Sequence, residues 1–333
     1  MNQSRFRLLG VIAAAAIVAS ACSSASATAT PTLTPLVTPT PMATPAATPT
    51  PAATPTPAAT PSPTATPTAA PSLVATVPTD QLVLPGKLVI CSDIPYPPQE
   101  FFDAQSNPTG SDIDIGAEIA KRLGLQMEVQ NSVFDTIILA LTGGKCDIVI
   151  SAQNITPDRL KQVDMIPYFQ AGQAFLVQKG NPLGIKTTTD LCGKAVGAET
   201  GTTEVDALNG TAGTDYAGKG LSAACTKAGK AAINVKTFAK DSDALLALQS
   251  GQVDCYFSDS PVAGYYAVQH PDQFELAGLT LNVAKEGISV GKGNPKLESA
   301  VKAALQSMMD DGSYLAILKK YGDDSGALTS TNP

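Results

Sequence analysis

The segment NITPDRLKQVD, residues 154–164, sets an arginine where a helix should begin. Thr156 can cap that helix and Pro157 can fill its first position. Arg159 then falls in the first turn, where the helix macrodipole is already positive and a cation is disfavoured. Such a guanidinium turns to solvent, pairs with Asp158 or Asp164, or meets an incoming anion. A carboxylate suits it, because the planar fork of N–H donors matches two oxygens. The turn TGTT offers a second grip on an anion through Thr202 and Thr203, since amides at a helix start point outward; both threonines can also be plain N-caps. Asp259, after the run VDCYFS, can accept from an ammonium group or cap the helix that begins beside Pro261. Asp93, before IPYPP, can serve a polar or cationic side chain or simply form a turn. Tyr96 and Phe134 can wall a ligand or pack in the core.

These residues share a place in the chain's rhythm. KLVICSD, LQMEVQ, CDIVIS, QAFLVQK, KAVGAE, AINVKTFA, VDCYFSD and GISVGKG read as strands. DIDIGAEIAKRLG, FDTIILALTGG, GTTEVDALNG, SDALLALQSG and PVAGYYAV read as helices between them, and NPKLESAVKAALQSMMDDG and SYLAILKKYG close the chain as helices. Alternation of this kind means parallel sheet covered by helices, and two rounds of it mean two doubly wound α/β lobes. Ligands bind such sheets off the carboxyl ends of the strands. Asp93, Arg159, Thr202, Thr203 and Asp259 all fall there.

The rest of the chain bounds what the lobes can be. MNQSRFRLLGVIAAAAIVASAC, residues 1–22, has a basic start at Arg5 and Arg7 and an apolar run too short to span a membrane, the pattern of an export signal. Cys22 follows Ala-Ser-Ala, as at a bacterial lipidation site, with Ala19 where leucine is usual. Residues 23–80 are almost wholly Ala, Thr, Ser and Pro, with no charge before Asp80, so they cannot bury a core and are expected to form a disordered linker. The chain has 22 basic and 29 acidic residues; without Arg5 and Arg7 the basic count is 20 and the formal charge −9. No basic run of the kind that nucleic acids need is present. Outside the cytoplasm disulfides are allowed. Cys192 and Cys225 are spaced to close one loop, whereas Cys91, Cys146 and Cys255 sit in apolar strand-like runs and are expected to be buried thiols. With no CxxC and His270 the only histidine, a zinc site is not expected, and nothing calls for a cofactor.

From Gly86 to Gly322 the chain resembles the bacterial extracellular solute-binding proteins, family 3, of polar amino-acid ABC transporters. The motifs that carry the likeness are SDIPYPPQEF, TGSDIDIGAEIAKRLG, FDTIILALTGGKCDIVIS, NITPDRLKQVD with PYF, TGTT and SGQVDCYFSDSPVAGYY. The resemblance implies a periplasmic binding protein type II-like fold. Lobe 1 would be residues 84–171 and 286–333 and lobe 2 residues 172–285, with hinges near 170–173 and 282–286. It implies that Arg159, Thr203 and the Thr202 amide hold a ligand carboxylate, that Asp259 and the Ala152 carbonyl accept from its α-ammonium group, and that Tyr96 and Phe134 are the aromatic walls. Asn154 stands where Ser or Thr is common. Ser111 and Gln99 replace aromatic residues and are expected to enlarge the pocket or make it more polar. Glu199 takes a position that is often apolar, and with Asp93 gives two acidic groups, which favours arginine, lysine or ornithine. The implied protein is a monomeric, lipid-anchored receptor on the outer face of the plasma membrane, handing an amino acid to a permease without turning it over. A dehydratase on the same scaffold and a ligand sensor are the alternatives.

Overall fold

The computed structural model describes residues 73–210 and 220–332. Cys22 and the signal lie outside the described residues, as does the linker before Leu73. From Leu73 the chain is already packed, earlier than expected: the Val74 N–H donates to the Arg122 carbonyl at 3.0 Å, and Val77 and Leu82 join a core.

The first half begins with β1 (Lys87–Ser92), KLVICS, which is buried almost throughout. Its residues alternate between two cores, as a strand's period of two requires. Leu88 and Ile90 face one cluster, and Val89 and Cys91 the other. A small hairpin, β2 (Phe101–Phe102) and β3 (Pro108–Thr109), precedes α1 (Ser111–Arg122). Ile115 and Ile119 stand four apart on the buried face of α1, and the helix stops before Gly124, whose φ of +71° suits only glycine well. Then come β4 (Gln126–Asn131), α2 (Ile137–Thr142) and β5 (Ile148–Val149). β1 lies parallel between β4 and β5.

α3 (Pro157–Gln162) runs directly into β6 (Val163–Gln178), a 16-residue strand that crosses to the second half. That half contains β7 (Ala195–Glu199), α4 (Thr203–Asn209), α5 (Leu221–Lys227), β8 (Asn234–Phe238), α6 (Asp241–Gln249), β9 (Cys255–Asp259) and α7 (Ser260–Gln269). β7 lies parallel between β8 and β9. β10 (Phe274–Gly291), 18 residues long, returns antiparallel to β6, and α8 (Pro295–Asp311) and α9 (Ser313–Tyr321) cover the first half. The sheet order is β4-β1-β5-β10-β6-β9-β7-β8. Two doubly wound α/β lobes are thus joined by β6 and β10.

The β6–β10 ladder is regular except where the lobes meet. Pairing shifts between Ala277 and Leu281, again between Leu281 and Ala284, and once more at Glu286/Gly287. Gly172 packs so closely there that a Cβ would sit 2.2 Å from Thr280 Cγ2. Beside this crossing the chain after α9 lies over β6: the Tyr314 hydroxyl donates to the Tyr168 carbonyl at 2.5 Å and accepts from Leu328 N–H at 3.0 Å, and Ala327 bridges Phe169.

Two disulfides are present among the described residues. Cys192–Cys225 pairs as expected. Cys91 and Cys146 were expected as free thiols and instead form a second bridge, with Cα atoms 5.7 Å apart. The register explains it. Cys91 pairs with Val149 across the β1–β5 ladder, which brings Cys146, just before β5, within bridging distance. Cys255 stays a buried thiol, and burial pushes its pKa up.

Candidate functional site

The carboxyl ends of β1, β7 and β9 and the start of α3 converge on one cleft between the lobes. The α3 start is built as its sequence suggests: Pro157 is the first residue, and Thr156 Oγ1 accepts the Arg159 N–H at 3.2 Å. Asp158 pairs with Lys161 and Asp164 with Lys292, so neither neutralises Arg159. The guanidinium reaches across the cleft instead. Nη1 donates to the Asn154 carbonyl at 2.8 Å and Nη2 to the Gly201 carbonyl of the other lobe at 3.1 Å. Its Cζ lies 5.2 Å from the centroid of the Phe134 ring, a cation–π contact. A guanidinium carries five N–H bonds, so donors remain for an anion.

Thr202 and Thr203 stand opposite. Thr202 is the N-cap residue of α4, but its hydroxyl donates to the Glu199 carbonyl at 2.7 Å rather than capping. Thr203 Oγ1 donates to Asn154 Oδ1 at 2.7 Å, another tie between lobes. Glycine is required at position 201. Its φ is +83°, and a Cβ would sit 2.8 Å from Asp135 Oδ1 and 2.9 Å from Asp135 Cα. The lobes meet there with no room for a methyl group.

Asp259 ends β9 and is buried. Its Oδ2 accepts the Tyr96 hydroxyl from the other lobe at 2.9 Å, and Tyr96 accepts in turn from Ser258 Oγ at 3.0 Å and Asp259 N–H at 3.2 Å. Asp259 Oδ1 has no hydrogen-bond partner. Burial raises its pKa well above the usual carboxylate range, the negative charges of Glu204 and Glu286 add to that, and Tyr96 and Arg159 pull the other way. An ammonium group beside Oδ1 would supply the missing donor. Ala152, held at φ +45°, gives its N–H to Asp112 Oδ2 at 3.0 Å. A left-handed alanine costs about 1 kcal/mol, so this turn is fixed by its surroundings.

Asp93 and Glu199 form the remaining end. Asp93 Oδ2 accepts the Phe134 N–H at 3.0 Å, and its own N–H donates to Ser151 Oγ at 2.8 Å. Its Oδ1 is paired with the ammonium group of Lys240 from the second lobe. Glu199 lies against Asp93 with Oε1 unpartnered. Burial, then the charge and hydrogen bond of Asp93, push the Glu199 pKa to about 11, against the opposing pull of Lys240.

One narrow cavity gathers these groups, with about 10 Å³ free, room for little more than a water molecule. Asp93, Tyr96, Phe134, Ala152, Asn154, Glu199, Thr202, Thr203 and Asp259, all anticipated from sequence, line it. Arg159 stands at its rim, over Phe134 and against Gly201. Ser111 and Gln99, expected at the pocket, face away: Ser111 Oγ donates to Asp323 Oδ2 at 2.8 Å and Gln99 Nε2 to Glu286 Oε2 at 2.7 Å. Glu100 and Glu204 line the cavity and were not anticipated. Glu204 reads in sequence as an acid in the first turn of α4, which the helix dipole alone would explain. Glu100, Glu199, Glu204 and Asp259 each keep one buried oxygen without a partner.

The profile of the bacterial extracellular solute-binding proteins, family 3, matches residues 88–324. The chain belongs to this family. Among curated relatives of this solute-binding protein, the L-cystine-binding protein TcyJ of Escherichia coli K12 is 27% identical over 71% of this chain and 82% of its own length. The lysine/arginine/ornithine-binding periplasmic protein of the same organism is 28% identical over 75% and 93%. Among solved structures, an ancestral arginine-binding protein bound to arginine has a TM-score of 0.63 and 38% identity, covering 71% of this chain and 98% of its own. Holo ArgBP from T. maritima has a TM-score of 0.60 and 31% identity, covering 71% and 96%. The fold of this solute-binding protein is therefore the periplasmic binding protein type II arrangement, and among its described residues no helix is long and apolar enough to cross a membrane.

Proposed function

We propose that this solute-binding protein captures a polar, basic L-amino acid between its two lobes and delivers it to the permease of an ABC importer. The observation that carries the ligand class is the set of four buried carboxyl oxygens, on Glu100, Glu199, Glu204 and Asp259, that line one cavity without a hydrogen-bond partner. Unpaired buried acceptors are costly, and a ligand rich in N–H donors removes that cost. In this reading Arg159 and the start of α4 take the α-carboxylate, Asp259 and the Ala152 carbonyl take the α-ammonium, and Asp93 and Glu199 meet the side chain. The relatives named for lysine, arginine and ornithine support the class. A second structure of the ancestral arginine-binding protein, bound to glutamine, supports a scaffold that also admits a neutral amide.

Binding works by closure. Each lobe contributes half of the contacts, so a ligand stabilises the closed form by its differential affinity for it. The lobes are residues 84–171 with 286–333, and 172–285, and they bend near 170–173 and 282–286. The chain is exported and held by lipidated Cys22 to the outer face of the plasma membrane, with the Ala/Thr/Pro tract as a stalk and a monomeric binding unit at its end. No bond in the ligand is made or broken. A thermal-shift screen against the common amino acids, followed by calorimetry, tests the reading. Arginine, lysine or ornithine should give the largest stabilisation and be recovered unchanged. A screen in which only acidic or apolar amino acids stabilise the chain, or in which the ligand is consumed, would refute it.

A further inference from the structure

Lys240 precedes α6 and occupies its N-cap position, where a cation is disfavoured and where it makes no capping bond. Its side chain leaves the second lobe and ends on the first. There Nζ meets three acceptors: Asp93 Oδ1, the Ser132 carbonyl at 3.0 Å and the Ile94 carbonyl at 3.5 Å. An ammonium group has three N–H bonds, so the set matches its capacity. The side chain is only 26% exposed and Asp93 only 5%, so solvent screens the pair incompletely. Unlike the Tyr96–Asp259 and Thr203–Asn154 ties, this one carries a full charge across the cleft.

We propose that Lys240 is a latch that closes the side-chain end of the cleft and supplies the countercharge of Asp93, leaving Glu199 as the acid that meets the ligand's side chain. The proposal rests on the amino-acid-binding reading for its selectivity half, but its closure half does not. The charge balance follows from the groups on the page. Two carboxyl groups face one resident ammonium, so a neutral side chain is balanced when Glu199 keeps its proton, and a singly cationic one when Glu199 gives it up. Lys240 thus sets how strongly the site prefers a cation. Without it, both carboxyl groups would be free to face the ligand.

The test compares the wild-type chain with Lys240→Met, which keeps the aliphatic stem, and Lys240→Arg, which keeps the charge. Amide exchange of the ligand-free chain is followed over residues 200–204, in the turn before and at the start of α4, which Lys240 does not touch. Loss of the latch should open the cleft and speed exchange there several-fold in Lys240→Met, with Lys240→Arg restoring protection. Calorimetry with arginine and with glutamine should show the arginine-to-glutamine affinity ratio rising by about tenfold or more in Lys240→Met, because a like charge near the ligand's cation is removed. Exchange at the wild-type rate in Lys240→Met overturns the latch, and an unchanged ratio overturns the countercharge role. A wild-type chain that binds neither amino acid refutes the basic-ligand reading, while the exchange measurement still decides the latch.

Discussion

Arg159→Ala removes the group on which the carboxylate end of the site depends. In the structure its guanidinium makes one hydrogen bond within its own lobe, to the Asn154 carbonyl, and one across the cleft, to the Gly201 carbonyl. It also covers the Phe134 ring at 5.2 Å. For a partly buried group the cross-lobe bond and the cation–π contact contribute about 1 kcal/mol each. Truncating one partner of a desolvated ion pair with a ligand carboxylate costs about 2–5 kcal/mol more. The affinity for arginine should therefore fall by roughly 10⁴-fold, within about a factor of ten either way. Stability should hardly change, since α3 is a six-residue surface helix with no fully buried side chain, and alanine is a better helix former there. Lysine at the position keeps the charge but loses the fork, so Arg159→Lys should fall between the two. The assay is calorimetric titration of the three proteins with arginine, each checked by thermal unfolding. An Arg159→Ala chain that unfolds at the wild-type temperature and binds arginine within about threefold of wild type refutes the assigned role.

Asp93→Asn combined with Glu199→Gln should weaken arginine far more than glutamine, because both carboxyl groups at the side-chain end, and with them the site's capacity to balance a cation, are gone; equal losses in paired titrations would remove the case for a basic ligand. Burial raises Asp112 to about 7, Asp241 to about 7 and Asp323 to about 6. These folded-state values exceed the unfolded ones, so between pH ~4 and ~7 the folded chain holds protons that the unfolded chain has lost, and stability falls as pH rises through that window. Each group contributes up to about 1.4 kcal/mol per pH unit there. The melting temperature of the ligand-free chain should be lower at pH 7.5 than at pH 5, and the reverse order would contradict the assignment. Replacing Cys91 and Cys146 together with Ala should cost about 2–5 kcal/mol, read as a lower denaturation midpoint; an unchanged midpoint would contradict the bridge.

How much of this was legible in the sequence depended on where the information lies. The strands around Leu88–Ile90 and Val196–Ala198 and the helices around Ile115–Ile119 carry their period in their own residues, and both rounds of alternation appear in the fold. The crossing strands were read only in part, as QAFLVQK and GISVGKG. Pro167, Gly172, Gly278 and Gly287 interrupt their patterns, and what makes them one ladder is pairing between segments far apart in sequence. The Cys91–Cys146 bridge was missed for a related reason: a register of β1 on β5 decides it, and neither residue signals its partner locally. Helix α5 was missed because Leu221–Lys227 lacks a clear stripe and packs through Cys225. Lys240 was visible in principle. The anomaly that singles out Arg159, a cation at the positive end of a helix, recurs at the start of α6. Its acceptors, two carbonyls and Asp93, are set by tertiary approach and leave no trace in KTFAKDSD.

The tail that follows α9 gives the crossing strands a fixed end. It lies on β6 at Tyr168 and Phe169, where Gly326 fits only for lack of a side chain, since a Cβ would sit 2.2 Å from the Phe169 ring. With that end held, the bending that the proposed closure needs should fall at the few links between Ala171 and Gln173 and those opposite, Leu281 to Ala284, where the pairing shifts. A door hung on a clamped post swings about one line. On that reading the second lobe should swing along one arc, so that each closure brings Tyr96 to Asp259 and Gly201 to Asp135 in the alignment seen here.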